Sequence, residues 1–143
     1  MKVITMTYKD VDLEWSMDDL EIFQNILEEV ILAVNGGFVS RLDCSPRQAR
    51  GFFVCISQEI QQSNKNYNTI TLIWTEVLFL KQLLNEVCNG IGLSNFEEKI
   101  GVSRDEAKKL MDFISNIIDE MKSLKEIRRA SYLPSHLRSR QKS

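Results

Sequence analysis

The stretch FEEKIGVSRDEAKKLMDFISNII, residues 96–118, reads as a short helix, a turn at Gly101 and a longer helix. It aligns without a gap on FVSRLDCSPRQARGFFVCISQEI, residues 38–60, at an offset of 58, and six of 23 positions are identical. Ordinary composition gives about one or two identities over such a length. The identical pairs are Phe38/Phe96, Ser45/Ser103, Ala49/Ala107, Ile56/Ile114, Ser57/Ser115 and Ile60/Ile118. We therefore predict a tandem duplication.

Each copy also contains an upstream strand and helix. LEEV (27–30) matches LNEV (84–87), and a tryptophan precedes each of these helices. Apolar residues alternate before both helices, as a half-buried strand requires: Val11, Leu13 and Trp15 in copy one, Ile70, Leu72 and Trp74 in copy two. The segment VITMTY (3–8) is predicted to form a hairpin with the first strand. The predicted fold class is α+β, mostly α, in which a strand-helix-loop-helix unit occurs twice and four main helices pack on a small antiparallel sheet.

Hydroxyl residues mark the predicted helix starts. Three serines have an acceptor side chain three residues later, the spacing of a capping box: Ser16 with Asp19, Ser45 with Gln48 and Ser103 with Glu106. Trp15 and Trp74 are both predicted to lie in the core, each with its indole N–H bonded to an acceptor. Of the adjacent Phe52 and Phe53, one is expected to point less directly inward.

Charge divides the chain into an acidic body and a basic end. Residues 1–121 hold 11 lysines and arginines against 19 acidic residues, whereas residues 122–143 hold 7 against 1. We predict one globular domain at 1–121, with copy one at about 11–62 and copy two at about 69–121. Residues 122–143 are predicted to extend the last helix and then to become a disordered tail.

The cysteines and the chain start indicate a compartment. Cys44, Cys55 and Cys88 are odd in number and show no C-x-x-C spacing, which favours a reducing environment. The first residues lack the apolar stretch of a signal peptide, and no unbroken apolar run approaches about 18 residues. We therefore expect a cytoplasmic protein that does not contact a membrane.

Sequence motifs for catalysis are missing. The only histidine, His136, falls in the predicted tail, and no P-loop, G-x-G-x-x-G, G-x-S-x-G or metal-ligand spacing occurs. We predict no catalytic residues, no metal site and no cofactor, and hence no enzyme.

The helix-turn-helix pattern raises DNA binding as an alternative. A recognition helix presents its N-terminal residues to base edges while basic neighbours contact phosphates. Copy two instead offers Asp105 and Glu106 there. A DNA-binding regulator would therefore use copy one and the basic end; its candidate residues are Arg41, Arg47, Gln48, Arg50, Arg128 and Arg129.

The leading hypothesis is a non-enzymatic interaction module. An acidic helical surface would steer and select one protein partner, which would be basic, and a second copy of the chain is another candidate partner. Its candidate contacts are Glu28, Glu29, Glu97, Glu98, Asp105 and Glu106. Many immunity proteins, which neutralise toxins, share this size and acidity. A small-ligand sensor with a pocket between the copies is a third hypothesis, without residue-level support.

One segment resembles known proteins. LKQLLNEVCNGIGLSNFEEKIGVSRDEAKKLM (80–111) is similar to a segment of small, mostly uncharacterised bacterial proteins that combine NEVCNG, a phenylalanine and IGVSRDEA. The resemblance implies a bacterial intracellular origin and a strand-helix-helix unit, and it carries over no active site. Copy one departs from the pattern, because Cys44-Ser45-Pro46 stands in place of Val-Ser-Arg.

Overall fold

A computed structural model describes residues 1–131, and within them three strands form one antiparallel sheet. The strands β1 (Lys2–Met6), β2 (Asp10–Ser16) and β3 (Tyr67–Ile73) lie in the order β1-β2-β3. The β1–β2 hairpin predicted from the sequence is present, and its turn is closed by the Thr7 N–H, which donates to the Asp10 carbonyl at 2.8 Å. The strands β2 and β3 pair directly, with Leu13 opposite Ile70.

Helices make up most of the described chain. The helices are α1 (Met17–Val34), α2 (Phe38–Leu42), α3 (Pro46–Gln62), α4 (Trp74–Asn85), α5 (Phe96–Ile100) and α6 (Arg104–Ser131). A 3₁₀ turn at Asn35–Gly37 follows α1, and a π turn at Glu86–Gly90 follows α4. The predicted class, α+β and mostly helical with a small antiparallel sheet, is confirmed.

The core lies on one face of the sheet. Strand residues alternate between that face and solvent, so Val11, Leu13 and Leu72 are almost fully buried while their neighbours are not. The helices supply the other side of the core, where the rings of Phe23 and Phe53 stack 6.1 Å apart. Among residues 1–131, every fully buried side chain is hydrophobic.

The predicted capping boxes explain where the long helices begin. Ser16 and Asp19 exchange both backbone-to-side-chain hydrogen bonds, at 2.9 and 3.0 Å, and Ser45 and Gln48 do the same. At α6 the described hydrogen bonds include one half of the box, in which the Glu106 N–H donates to the Ser103 hydroxyl at 3.1 Å. Local sequence therefore sets these helix starts.

The two tryptophans differ from the prediction. Trp15 is buried on β2, but its indole N–H has no acceptor among the described residues. Trp74 does not continue β3: it is the first residue of α4 and only half-buried, because the strand ends at Ile73. Pairing with Asp10 ends at that point, so backbone pairing and not the alternation of apolar residues determines where the strand stops.

The phenylalanine prediction holds. Phe53 is 1% exposed, whereas Phe52 is half-buried and turns toward α4, where its ring meets that of Phe79 at 6.1 Å.

The segment Met17–Leu42 is apolar and long enough to cross a membrane by length and composition alone, with a mean hydropathy of 1.3. The core helices of soluble proteins pass the same criterion. In this fold α1 turns Leu20, Phe23 and Leu27 into the core and keeps Glu21 and Glu28 exposed.

The helix extension predicted after residue 121 is observed, since α6 continues to Ser131. The tail predicted beyond it, with His136, lies outside the described residues.

Candidate functional sites

The turn between α5 and α6 is held firmly against α1. Phe96 and Ile100 are buried, and the Asn25 side-chain amide donates to the Ile100 carbonyl at 3.0 Å. Gly101 then has a φ of 99°, in the region that glycine adopts without steric cost. The short helix and the first turn of α6 therefore present their side chains on a fixed frame.

Arg104 is turned inward from this frame. Its guanidinium donates to the carbonyls of Cys88 and Leu93, both at 2.8 Å, and lies 4.8 Å from the centroid of the Phe96 ring. These contacts tie the loop before α5 to the start of α6. The one basic residue at the N-terminus of this would-be recognition helix thus has a structural role.

Four carboxylates remain on the outside of the same frame, and we call them the acidic surface: Glu97, Glu98, Asp105 and Glu106. All four are exposed, and none forms an ion pair with a described residue. The segment 97–106 also contains Lys99, which is exposed, so the charge of this surface is mixed but mainly negative.

The two remaining candidate acids, on α1, are in a different position. Glu28 accepts two hydrogen bonds from Arg50, at 2.8 and 2.9 Å, and this bidentate contact lowers the pKa of Glu28. Glu29 is half-buried. Both side chains of the Glu28–Arg50 pair are about half exposed, so solvent screens the pair and it contributes little to stability.

The arginines proposed for DNA binding are largely used within the protein. Arg50 binds Glu28, Arg41 pairs with Glu86 at 2.9 Å, and the Gln48 side chain accepts from the Ser45 N–H. Arg47 is exposed. Copy one therefore presents less free positive charge than its sequence indicates.

The basic end of α6 borders a groove that the sequence did not predict. Arg128 and Arg129 belong to its last turns, and the Arg128 guanidinium lies 4.7 Å from the centroid of the Tyr8 ring. The cavity measures about 530 Å³, and we call it the aromatic-basic groove. Its apolar side chains are Tyr8, Ile73, Trp74 and Met121, and its basic side chains are Lys9, Lys122, Lys125 and Arg129. In the sequence, the one signal for this groove was the spacing of Lys122, Lys125 and Arg129, which places them on one face of a helix.

A second cavity, of about 360 Å³, lies between the α2–α3 region and α4, where the two predicted copies would meet. Phe52 and Cys44 line it from copy one, and Leu78 and Phe79 from copy two. It is largely apolar. The polar side chains that line it include Glu76, which is already bonded to the Ile73 N–H at 2.9 Å.

Groups with catalytic chemistry are sparse in the described part of the chain. Residues 1–131 contain no cluster of three histidine, cysteine or acidic side chains that could hold a metal ion. Cys44, Cys55 and Cys88 are free thiols, and burial raises the pKa of Cys44 and Cys88. A raised pKa disfavours the thiolate, which is the nucleophilic form.

Comparisons with protein-family models, with curated proteins and with solved structures found no match to this chain.

Proposed function

We propose that this protein is a non-enzymatic interaction module that binds a basic protein partner through the acidic surface. One observation carries the proposal: at the start of α6 the carboxylates of Asp105 and Glu106 face solvent, while the neighbouring Arg104 is bonded inward to two carbonyls. The same geometry disfavours DNA as the ligand of this helix-turn-helix, because phosphates would meet four exposed carboxylates.

The rigid backbone beneath the acidic surface favours binding of a partner. A backbone that is already fixed loses little conformational entropy on binding, and rim charges of one sign accelerate encounter with a partner of opposite sign. Val102, which lies between the two acidic pairs in the sequence, is half-buried and packs against the core, so it helps to fix the turn that carries them. Glu28 and Glu29, the other candidates, would contribute less, since Glu28 already binds Arg50.

The proposal also covers the compartment and the kind of partner. The partner would be met in the cytoplasm, and if the module is of the immunity type, the partner is a basic toxin domain. Like charges disfavour self-association through the same surface, because the carboxylates of two copies of the chain would face each other.

Affinity capture with matched variants tests the proposal. The test variant neutralises the acidic surface by Glu97→Gln, Glu98→Gln, Asp105→Asn and Glu106→Gln. The control variant removes the same charge from other exposed positions by Glu21→Gln, Asp112→Asn, Asp119→Asn and Glu120→Gln. Tagged proteins are incubated with lysate of the source cell, with and without nuclease, and bound proteins are identified by mass spectrometry.

We expect one nearly stoichiometric basic protein that survives nuclease, is retained by the control variant and is lost from the test variant. With the purified partner at low salt, the association rate of the test variant should fall by about tenfold or more. Equal capture by both variants would contradict the assignment of the surface.

The second candidate function is a helix-turn-helix regulator that binds DNA through Arg41, Arg47, Gln48 and Arg50 together with Arg128 and Arg129. The observation in its favour is that Arg47 and Arg129 are exposed. It predicts salt-dependent duplex binding that is lost when residues 122–143 are removed. Nucleic acid in the untreated capture, with companion proteins lost after nuclease, would place this function first.

We also propose that the chain arose by tandem duplication. Support comes from element order, since strand, long helix, short helix and long helix follow one another twice. Identical residues take equivalent places: Ala49 and Ala107 are both buried, and Ser45 and Ser103 both accept the hydrogen bond that starts a long helix.

A further inference from the structure

We propose that the aromatic-basic groove binds a nucleotide unit, with its base against Trp74 and its phosphate among the lysines and arginine of the rim. This site is separate from the acidic surface, which lies at the other end of α6. The proposal is therefore independent of the protein-binding function.

Three distant parts of the chain build the groove. The β1–β2 turn brings Tyr8 and Lys9, the β3–α4 junction brings Trp74, and α6 brings its basic face. The backbone N–H of Trp74 donates to the Lys9 carbonyl at 3.1 Å, which fixes the β3–α4 junction to the β1–β2 turn. A volume of about 530 Å³ lies in the range of pockets that hold small ligands.

Charge in the groove favours an anion with several acceptor oxygens. Lys122, Lys125 and Arg129 are exposed on one face of α6, and Lys9, whose ammonium lies 5.5 Å from the centroid of the Tyr8 ring, lines the groove from the β1–β2 turn. Among the described residues that line the groove, Glu126 is the one acidic side chain. A phosphate carries more charge and more acceptor oxygens than a carboxylate, so it matches this set of donors better than a single acidic side chain does.

The apolar part of the groove favours a planar group beside that anion. Trp74 is half-buried, so it is held in place while part of its indole remains accessible. Met121, which is fully buried, closes the floor. Stacking of bases on aromatic side chains next to a basic groove is how proteins hold single-stranded nucleic acid and free nucleotides.

Two sources share this chemistry, a free nucleotide and an unpaired strand of nucleic acid. Calorimetric titration of the full chain with ADP, pyrophosphate and oligothymidylates of increasing length distinguishes them. Affinity that is as high for ADP as for any oligomer assigns the free nucleotide. Affinity that rises with oligomer length assigns the single strand, and either result supports the groove as a nucleotide site.

Three variants locate the binding. Lys122→Gln with Lys125→Gln removes charge from exposed rim positions. Trp74→Leu keeps an apolar side chain at position 74 but removes the aromatic ring on which a base would stack. Lys108→Gln with Lys109→Gln is the matched control, because it makes the same charge change at exposed positions of α6 outside the groove. We expect about tenfold weaker binding of the preferred probe for the first two variants and no change for the control.

Several results would overturn the proposal. They are the absence of binding by ADP and by the oligomers, pyrophosphate binding as tightly as ADP, or equal loss of affinity in the control variant. Duplex DNA binding as tightly as a single strand, or displacement of the probe by a polyglutamate peptide at equal concentration, would reassign the groove to duplex phosphates or to an acidic peptide. The Lys122→Gln, Lys125→Gln variant alters exposed side chains only. It therefore tests binding at the groove even if Trp74→Leu destabilises the fold.

Discussion

At the residue scale, Trp15 shows that burial and hydrogen bonding are separate requirements. Its ring packs against Phe23 with centroids 5.4 Å apart, and its side chain is fully buried. The indole N–H nevertheless has no acceptor among the described residues. A buried donor without a partner costs about 1–3 kcal/mol, and this cost offsets part of the gain from burying the ring.

Substitution of Trp15 should reveal that balance. Trp15→Phe removes the unpaired N–H but leaves a small cavity, so we expect a change in the free energy of unfolding within about 1 kcal/mol. Trp15→Ala should cost about 3–5 kcal/mol. Urea unfolding followed by far-ultraviolet circular dichroism measures both, and Trp74→Ala, at a half-buried site, should cost less. An equal loss for Trp15→Phe and Trp15→Ala would contradict this account.

At the element scale, one carboxylate joins all three strands on the solvent face of the sheet. Asp12 lies on the central strand β2, and it accepts the hydroxyl hydrogens of Thr5 on β1 and Thr71 on β3. These two hydrogen bonds lower the pKa of Asp12, because they favour its charged form. The sheet is thus held by a side-chain bridge in addition to its backbone pairing.

This bridge predicts a pH dependence of stability. A lowered pKa in the folded state means that the contribution is complete above the unfolded pKa of about 4 and is lost as pH falls through the folded value. We expect the wild type to be more stable than Asp12→Asn at pH near neutrality and the difference to shrink in strong acid. Urea midpoints across that range measure it.

Asp112→Asn serves as the control for this effect, because Asp112 is exposed on α6 with no hydrogen bond to a described side chain. A difference between wild type and Asp12→Asn that stays constant as the pH falls would show that the two threonine contacts do not stabilise the charged form.

At the scale of the whole molecule, the two halves of the described chain share one core. β2 and β3 pair along seven residues each, and the rings of Phe53 and Phe79, one from each copy, lie 6.4 Å apart. We expect that neither half covers its apolar faces when the other is absent, so that each half needs the other in order to fold.

This shared core predicts a single cooperative unfolding transition for the chain. Tryptophan fluorescence, which reports on Trp15 in copy one and Trp74 in copy two, should give the same midpoint as far-ultraviolet circular dichroism. Copy one produced alone should show no cooperative transition. Two separated midpoints in the full chain would indicate that the copies fold independently.

The sequence by itself determined the local order of this protein. Helix starts at Ser16 and Ser45, the β1–β2 hairpin and the inward faces of β2 and α3 were all predictable, because caps, turns and periodicity act over a few neighbouring residues. The end of β3 was predicted wrongly, since Trp74 fits the alternation but is the first residue of α4, beyond the last β2–β3 pair at Ile73. The candidate acidic residues could also be named from their pattern in the sequence. The sequence did not indicate which of them, such as Glu28, would be paired within the protein.

Only the tertiary structure decided which charges remain available. Arg104 turns inward to Cys88 and Leu93, and Arg50 pairs with Glu28, so similar side chains in the sequence acquire different roles. The aromatic-basic groove likewise joins Lys9, Trp74 and Lys125, which are far apart in the chain. Such contacts depend on how packed elements are oriented relative to one another, and no local pattern of residues encodes that orientation.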